Sequence, residues 1–238
     1  MKTALVLENF YKTLFSAYGP QGWWPLLGFK GTNPTKTGSV NGYHPGNYSV
    51  PRSGGERFEI CVGAILTQNT SWMQVEKALQ VLKKRGLINP KKILQMKQAK
   101  LAGAIRPAGY FNQKARKLKI FAKFYLSLGK RTPSREELLG VWGVGPETAD
   151  SMLLYAFKVP TFVVDAYTKR ILSRMGLVQK NAGYGEVKAL FEKNLPPQLE
   201  TYQEFHALLV EHAKRRCNSR NPKCPECLAS RACKKRGN

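Results

Sequence analysis

The sequence predicts an all-α protein. From Phe58 onward, apolar residues recur at three- and four-residue spacing in one segment after another, the pattern of amphipathic helices. Runs that alternate like a half-buried strand are few. Short Gly, Pro, Asn and Ser breaks separate the segments, and several carry helix-start chemistry.

In chain order, residues 3–18 read as a first helix. Residues 28–55, GFKGTNPTKTGSVNGYHPGNYSVPRSGG, are rich in turn-forming residues and predict a long loop. Connections of that length tend to be functional or disordered. No acid occurs between Glu8 and Glu56, so the stretch could lie near phosphates. Helices are expected over 56–68, 71–85, 90–96, 98–106, 112–127, 134–140, 146–158, 164–175, 184–194 and 201–215. TFVVDAY is the best strand candidate, but its neighbours argue for a helix starting at or just before Asp165. No internal repeat or low-complexity tract occurs.

Size and composition allow one large domain or two small ones, since 238 residues at 42% hydrophobic content can bury a core. Charge is more informative. The 39 Lys and Arg against 15 Asp and Glu give a formal +24, the footprint of a polyanion binder and of nucleic acid first. A membrane surface is the rival, weakened because no long apolar run and no signal peptide occurs. A cytoplasmic protein is expected, nucleoid-associated if the source is prokaryotic.

SREELLGVWGVGPETADSMLLYAF reads as helix, tight turn, helix. Ser134 caps the first helix with Glu137 at the capping-box position. Gly143 and Gly145 permit backbone angles and close approach that side chains block, and Pro146 suits the first turn of the second helix. Amides at that helix start form a site for one phosphate; a plain helical hairpin is the simpler reading. The chain's two aspartates are Asp150 and Asp165. Asp150, one turn beyond Glu147, is expected to hold a Lys or Arg of a neighbouring helix. Asp165 is expected to cap a helix and can also face a substrate.

Five cysteines remain. Cys61, inside FEICVGAIL, reads as a buried small hydrophobe. Cys217, Cys224, Cys227 and Cys233 are spaced C-x6-C-x2-C-x5-C, which suits zinc or an iron–sulfur cluster and leans toward the cluster. Lys214, Arg215, Arg216, Arg220, Lys223 and Arg231 surround them, so a metal-folded basic loop could press on DNA.

GVGPETAD, VDAYTKR and the four-cysteine tail, in this order and at these separations, resemble the endonuclease III family of helix-hairpin-helix DNA glycosylases. The resemblance covers most of residues 56–233. It implies two helical domains flanking a DNA-binding cleft: 56–160, a six-helix domain ending in the hairpin, and 1–55 with 161–238, a second domain carrying a [4Fe-4S] loop at 217–233. It implies a monomer that binds double-stranded DNA containing a damaged base. Asp165 falls on the catalytic aspartate and Gly143-Val144-Gly145 on the phosphate-binding hairpin. AILTQNTSW resembles the segment whose glutamine fills the hole left by an extruded nucleotide, which points to Gln68 with Asn69 beside it. IRPAGYFNQKARK resembles the strand-separating loop and suggests Tyr110, Phe111 and Asn112; an ordinary turn with an aromatic core contact is the alternative.

One position departs from the family pattern. Where bifunctional members carry a Schiff-base lysine, two residues past the hairpin's last glycine, this chain has Glu147. A carboxylate cannot form the imine, so a monofunctional glycosylase using water and Asp165 is expected. YGPQGWWPLLGF, with Trp23, Trp24 and Pro25, resembles the 3-methyladenine glycosylase III branch, which implies an aromatic pocket for alkylated purines; a hydrophobic plug is the other reading. Hypoxanthine, oxidised guanine or a deaminated pyrimidine, a bifunctional glycosylase/lyase, and a non-catalytic DNA-structure-binding protein are the alternatives.

Overall fold

The computed structural model describes residues 2–34, 41–230 and 233–234. Eleven α-helices run in order among these residues: α1 (Lys2–Tyr18), α2 (Gly54–Leu66), α3 (Trp72–Lys84), α4 (Pro90–Gln95), α5 (Gln98–Ala104), α6 (Phe111–Leu128), α7 (Arg135–Leu139), α8 (Pro146–Ser151), α9 (Ala166–Met175), α10 (Tyr184–Asn194) and α11 (Leu199–Arg215). A 3₁₀ turn (Arg106–Ala108) precedes α6, and a π-helical turn (Met152–Ala156) continues α8. No strand occurs among the described residues; a single bridge pairs Gly31 with Tyr43 inside the expected long loop. Residues 35–40 of that loop lie outside the described residues.

Helix ends follow local chemistry. Ser53 caps α2 by accepting Glu56 N, and Asn89 caps α4 with Pro90 at the first helical position. Ser134 and Glu137 form the expected capping box on α7. Asp165 caps α9 through Thr168 N, so TFVV enters as extended chain and the helix starts one residue after the aspartate.

The helices pack in two groups. In one, α6 lies against α2, α4 and α5, and α3 against the 3₁₀ turn; in the other, α11 lies against α1 and α9, and α1 against α10. The π-turn touches both α2 and α11 and joins the groups. Phe162, between hairpin and α9, stacks on Phe191 of α10 at 3.6 Å and meets Phe205 of α11 edge-on. Each such buried ring contributes roughly 1.5–3 kcal/mol. Cys61 is fully buried on α2, as a small core residue.

Asp150 ties the hairpin to both groups. It is wholly buried, and Arg135 of α7 donates to both its oxygens at 2.8 and 3.1 Å. Tyr184 Oη donates at 2.7 Å and Lys188 Nζ stands 3.5 Å away, both from α10. This acid therefore holds cations of neighbouring elements, as its position suggested.

Candidate active site

A cavity of about 1120 Å³ opens where the two helix groups meet. Its walls collect Trp23, Gln68, Gly145, Glu147, Asp165 and Lys214, from five separate segments. The volume is at the upper end of ordinary small-molecule sites.

Asp165 uses its two oxygens differently. Oδ1 accepts Thr168 N at 2.7 Å, while Oδ2 lies 3.7 Å from His206 Nε2 of α11. Its side chain is 12% exposed. Burial alone would push this carboxyl up, but the facing His206 and the Thr168 amide more than reverse it and hold it below the usual carboxylate range. Glu147 is exposed at the cavity wall. Partial desolvation there, with the Asp165 charge, pushes its carboxyl up against the opposing His206 and Lys169. Two carboxyls in one cavity are thus driven apart in acidity.

The hairpin divides its labour more finely than its sequence suggested. Gly143 sits at φ +88, and a Cβ there would come within 2.6 Å of the Lys117 stem. Gly145 is the N-cap of α8, has no side-chain cap, and faces open space. Amides of that first turn lack intrahelical acceptors, so a phosphate oxygen can approach them. Val144 departs from the expectation: its side chain is buried and its amide donates to Val141 O at 3.0 Å, so it turns neither group outward. Gln68 is docked on this turn. Its Nε2 donates to Gly143 O at 3.0 Å and Thr148 Oγ1 at 2.9 Å, and its Oε1 accepts Lys117 Nζ at 2.5 Å. Asn69 beside it is exposed at φ +53.

Of the second loop, Tyr110 is 67% exposed and left-handed at φ +43, a conformation unfavourable for a bulky side chain. Asn112 is also exposed, whereas Phe111 packs against the core, as the alternative reading had it. Lys114 joins the two loops from beneath. Nearly fully buried, it donates to Leu66 O and Ala108 O, both at 2.8 Å.

Both tryptophans line the cavity, and they differ in burial. Trp24 is buried, edge-on to Trp72 at 5.4 Å and close against Gly63, where any Cβ would clash with its Nε1 at 2.9 Å. Trp23 is half-buried and lines the cavity, and Pro25 is buried at its edge. Two buried carboxylates fix the ends of their segment: Glu204 accepts Gln21 N at 2.7 Å, and Glu59 accepts Leu27 N at 2.6 Å. Burial pushes both carboxyls up, partly offset by these amides. His44 Nε2 reaches Trp24 O at 2.9 Å.

The chain matches the HhH-GPD superfamily base excision DNA repair protein family over residues 62–197, a span holding the Gln68 loop, the hairpin and Asp165. The chain belongs to this family. It is 41% identical to a candidate DNA repair glycosylase of Methanocaldococcus jannaschii, over 96% of each chain. It is 32% identical to endonuclease III of Thermotoga maritima, covering 74% of this chain and 82% of that one. The fold is similar to a thermostable thymine-DNA glycosylase, with TM-score 0.72 and 22% identity over 98% of each chain. It is also similar to the H. pylori 3-methyladenine DNA glycosylase MagIII bound to 1,N6-ethenoadenine, with TM-score 0.64 and 27% identity over 90% of this chain and 97% of that one. The protein is accordingly an HhH-GPD DNA N-glycosylase of base excision repair.

In this HhH-GPD chain the four tail cysteines are half-buried, and none is in a disulfide. Arg174 of α9 donates to Cys217 Sγ at 3.3 Å, and His212 Nε2 lies 3.4 Å from Cys227 Sγ. Burial pushes the Cys227 thiol up, and the nearby Cys217, Cys233 and Cys224 add to that. Among the described residues, no three His, Cys, Asp or Glu side chains converge as ligands of one metal ion. The surrounding cations take different places. Lys214 lines the main cavity, Arg215 covers the Tyr18 ring, and Arg216 pairs with Glu226. Arg220 and Lys223 stay exposed, and Arg231 lies outside the described residues.

His206 and Lys117 of the cavity escaped the sequence reading, which took Lys214 only as part of the basic tail. His206, Val210 and Lys214 stand at four-residue steps and share one face of α11. Polar residues on its other faces left that spacing without a distinguishing signal. No helix among the described residues is long and apolar enough to cross a membrane.

Proposed function

We propose that this glycosylase is monofunctional: it excises an alkylated purine by water attack and leaves an abasic site. Lys and Arg contacts to phosphates hold the duplex, and the damaged nucleotide rotates into the cavity, at a cost of a few kcal/mol. As the glycosidic bond lengthens, positive charge develops on the deoxyribose. Asp165, kept ionised at the cavity wall, stabilises that charge and orients water toward the anomeric carbon. The carrying observation is this ionised Asp165 beside Glu147, which occupies the position where a lysine nucleophile would stand.

Two points support an alkylpurine substrate. Trp23 offers an aromatic wall, and aromatic faces attract a cationic base. The similar MagIII is a 3-methyladenine DNA glycosylase. The cavity is completed within one chain, which supports a monomer, and the two packing groups support a division at 56–160. Exposed Asn69, Tyr110 and Asn112 are read as the strand-separating contacts, with Phe111 supporting them from the core. Cys217, Cys224, Cys227 and Cys233 would hold a [4Fe-4S] cluster; four undisulfided thiols near one another fit that group in chemistry. The cluster would supply a structural tie between α9 and the tail.

A second reading, bifunctional glycosylase/lyase, has one observation in its favour. Lys214 puts an amine at the cavity wall, and desolvation makes its ammonium more acidic than usual, against the opposing pull of Glu211 and Asp165. The test is single-turnover excision from duplexes carrying one defined lesion, worked up with and without alkali. Asp165→Asn keeps the oxygen that accepts Thr168 N, so it should bind damaged duplex but excise at least about 100-fold more slowly. Strand breaks without alkali would favour the lyase reading, and normal excision by Asp165→Asn would end the proposed mechanism.

A further inference from the structure

Asp165 is held from both sides. Thr168 N takes Oδ1, and Oδ2 faces His206 Nε2 across 3.7 Å. His206 is itself fixed. It is 4% exposed, and its Nδ1 lies 2.7 Å from Tyr155 Oη. Tyr155, on the π-turn, is 1% exposed, and its hydroxyl also reaches Gln203 O at 3.1 Å. On the other side, Trp23 meets the imidazole at 5.5 Å and 89°.

The hydrogen bookkeeping leaves few arrangements. Tyr155 has one hydroxyl proton. Given to His206 Nδ1, it forces the neutral tautomer with hydrogen on Nε2, facing Asp165. Given to Gln203 O, it leaves Nδ1 as donor. The hydroxyl lies 2.7 Å from Nδ1 and 3.1 Å from Gln203 O, and the shorter contact selects the first arrangement, in which an N–H points at Oδ2. The 3.7 Å gap is one that catalytic contacts close when substrate fills a site.

We propose that His206 is a positioning residue for glycosidic-bond cleavage: anchored by Tyr155, its Nε2–H aims the Oδ2 oxygen of Asp165 into the cavity that Trp23 walls. The inference rests on the assignment of Asp165 above. Because Trp23 touches the same imidazole, a base stacked on Trp23 also presses on the group that aims the carboxylate. The titratable groups facing His206 are Tyr155 from the π-turn, Asp165 from the start of α9 and Glu147 from α8.

The test compares His206→Phe, His206→Gln and Tyr155→Phe with wild type. Single-turnover excision is followed across pH, alongside binding to a duplex carrying a tetrahydrofuran abasic analogue. His206→Phe should excise about 100-fold more slowly, with the acid limb of its pH profile moved to higher pH and duplex binding retained. His206→Gln carries an amide N–H near the place of Nε2–H and should recover about tenfold of the loss, with the acid limb moving back. Tyr155→Phe removes one hydroxyl, and should slow excision about tenfold with the limb shifted the same way. Wild-type rate and acid limb in His206→Phe, or in Tyr155→Phe should the former not fold, overturn the proposal. Equal slowing of all variants with parallel loss of duplex binding also overturns it, since that is what a purely structural role gives. Asp165→Asn is run beside them: normal excision there condemns the Asp165 assignment itself, whatever His206 does.

Discussion

Gln68 Nε2 lies 3.0 Å from the carbonyl oxygen of Gly143, so in the DNA-free protein the residue read as the hole-filling side chain is fastened to the hairpin. Lys117 completes the latch by donating to Gln68 Oε1 while its stem packs on Gly143. In the hole-filling role proposed for it, Gln68 would exchange these bonds for base contacts. Gln68→Ala should therefore slow excision from fully paired lesion duplexes about tenfold, and by less than about threefold where the lesion already sits in a bulge, since the lost contribution offsets unpairing. Single-turnover rates on the two duplexes check this; equal slowing on both would remove Gln68 from that role.

Glu147 occupies the first turn of α8 in the same cavity as Asp165. If its position is what separates hydrolysis from imine chemistry, Glu147→Lys should gain a borohydride-trapped protein–DNA adduct that wild type lacks. Gel mobility of the trapped complex reads the outcome. An adduct in wild type that disappears in Lys214→Met would instead assign the amine to Lys214.

Lys114 is buried between the Gln68 and Tyr110 loops, and burial, with Lys117 nearby, lowers it from 10.5 to about 8. The unfolded chain then holds more protons than the folded one between those values, so stability rises with pH across that window. The neutral amine keeps two N–H donors, enough for Leu66 O and Ala108 O. Against Lys114→Met, wild type should show an additional rise on the order of 3 kcal/mol between pH 8 and 10.5. Urea unfolding at several pH values measures it; parallel curves for the two proteins would refute the assignment.

Removal of one tail thiol tests the cluster. Wild type should show visible iron–sulfur absorbance, and Cys227→Ser should lose it together with part of its thermal stability. A colourless wild type with stoichiometric zinc would overturn the cluster reading.

Much of this architecture is written locally. Helix starts at Ser134, Pro146 and Asp165 follow from capping chemistry, which acts over three or four residues. The departure at Glu147 is likewise a fact of sequence. What local pattern could not give is which polar residue of a buried helix meets which neighbour. His206 and Lys214 look like occasional polar positions on α11 until α9 and the N-terminal segment pack beside them. The same holds for Trp23 and Trp24, adjacent in sequence and both at the cavity, of which only Trp24 is buried, against Gly63 and Trp72. Gln68 was legible as a residue and illegible as a latch, because its partners lie 75 and 80 positions away. Short-range hydrogen bonding and helical periodicity determined the elements. Only the close packing of distant segments decided how they share Asp165, since burial and direction of charge exist only once those segments meet.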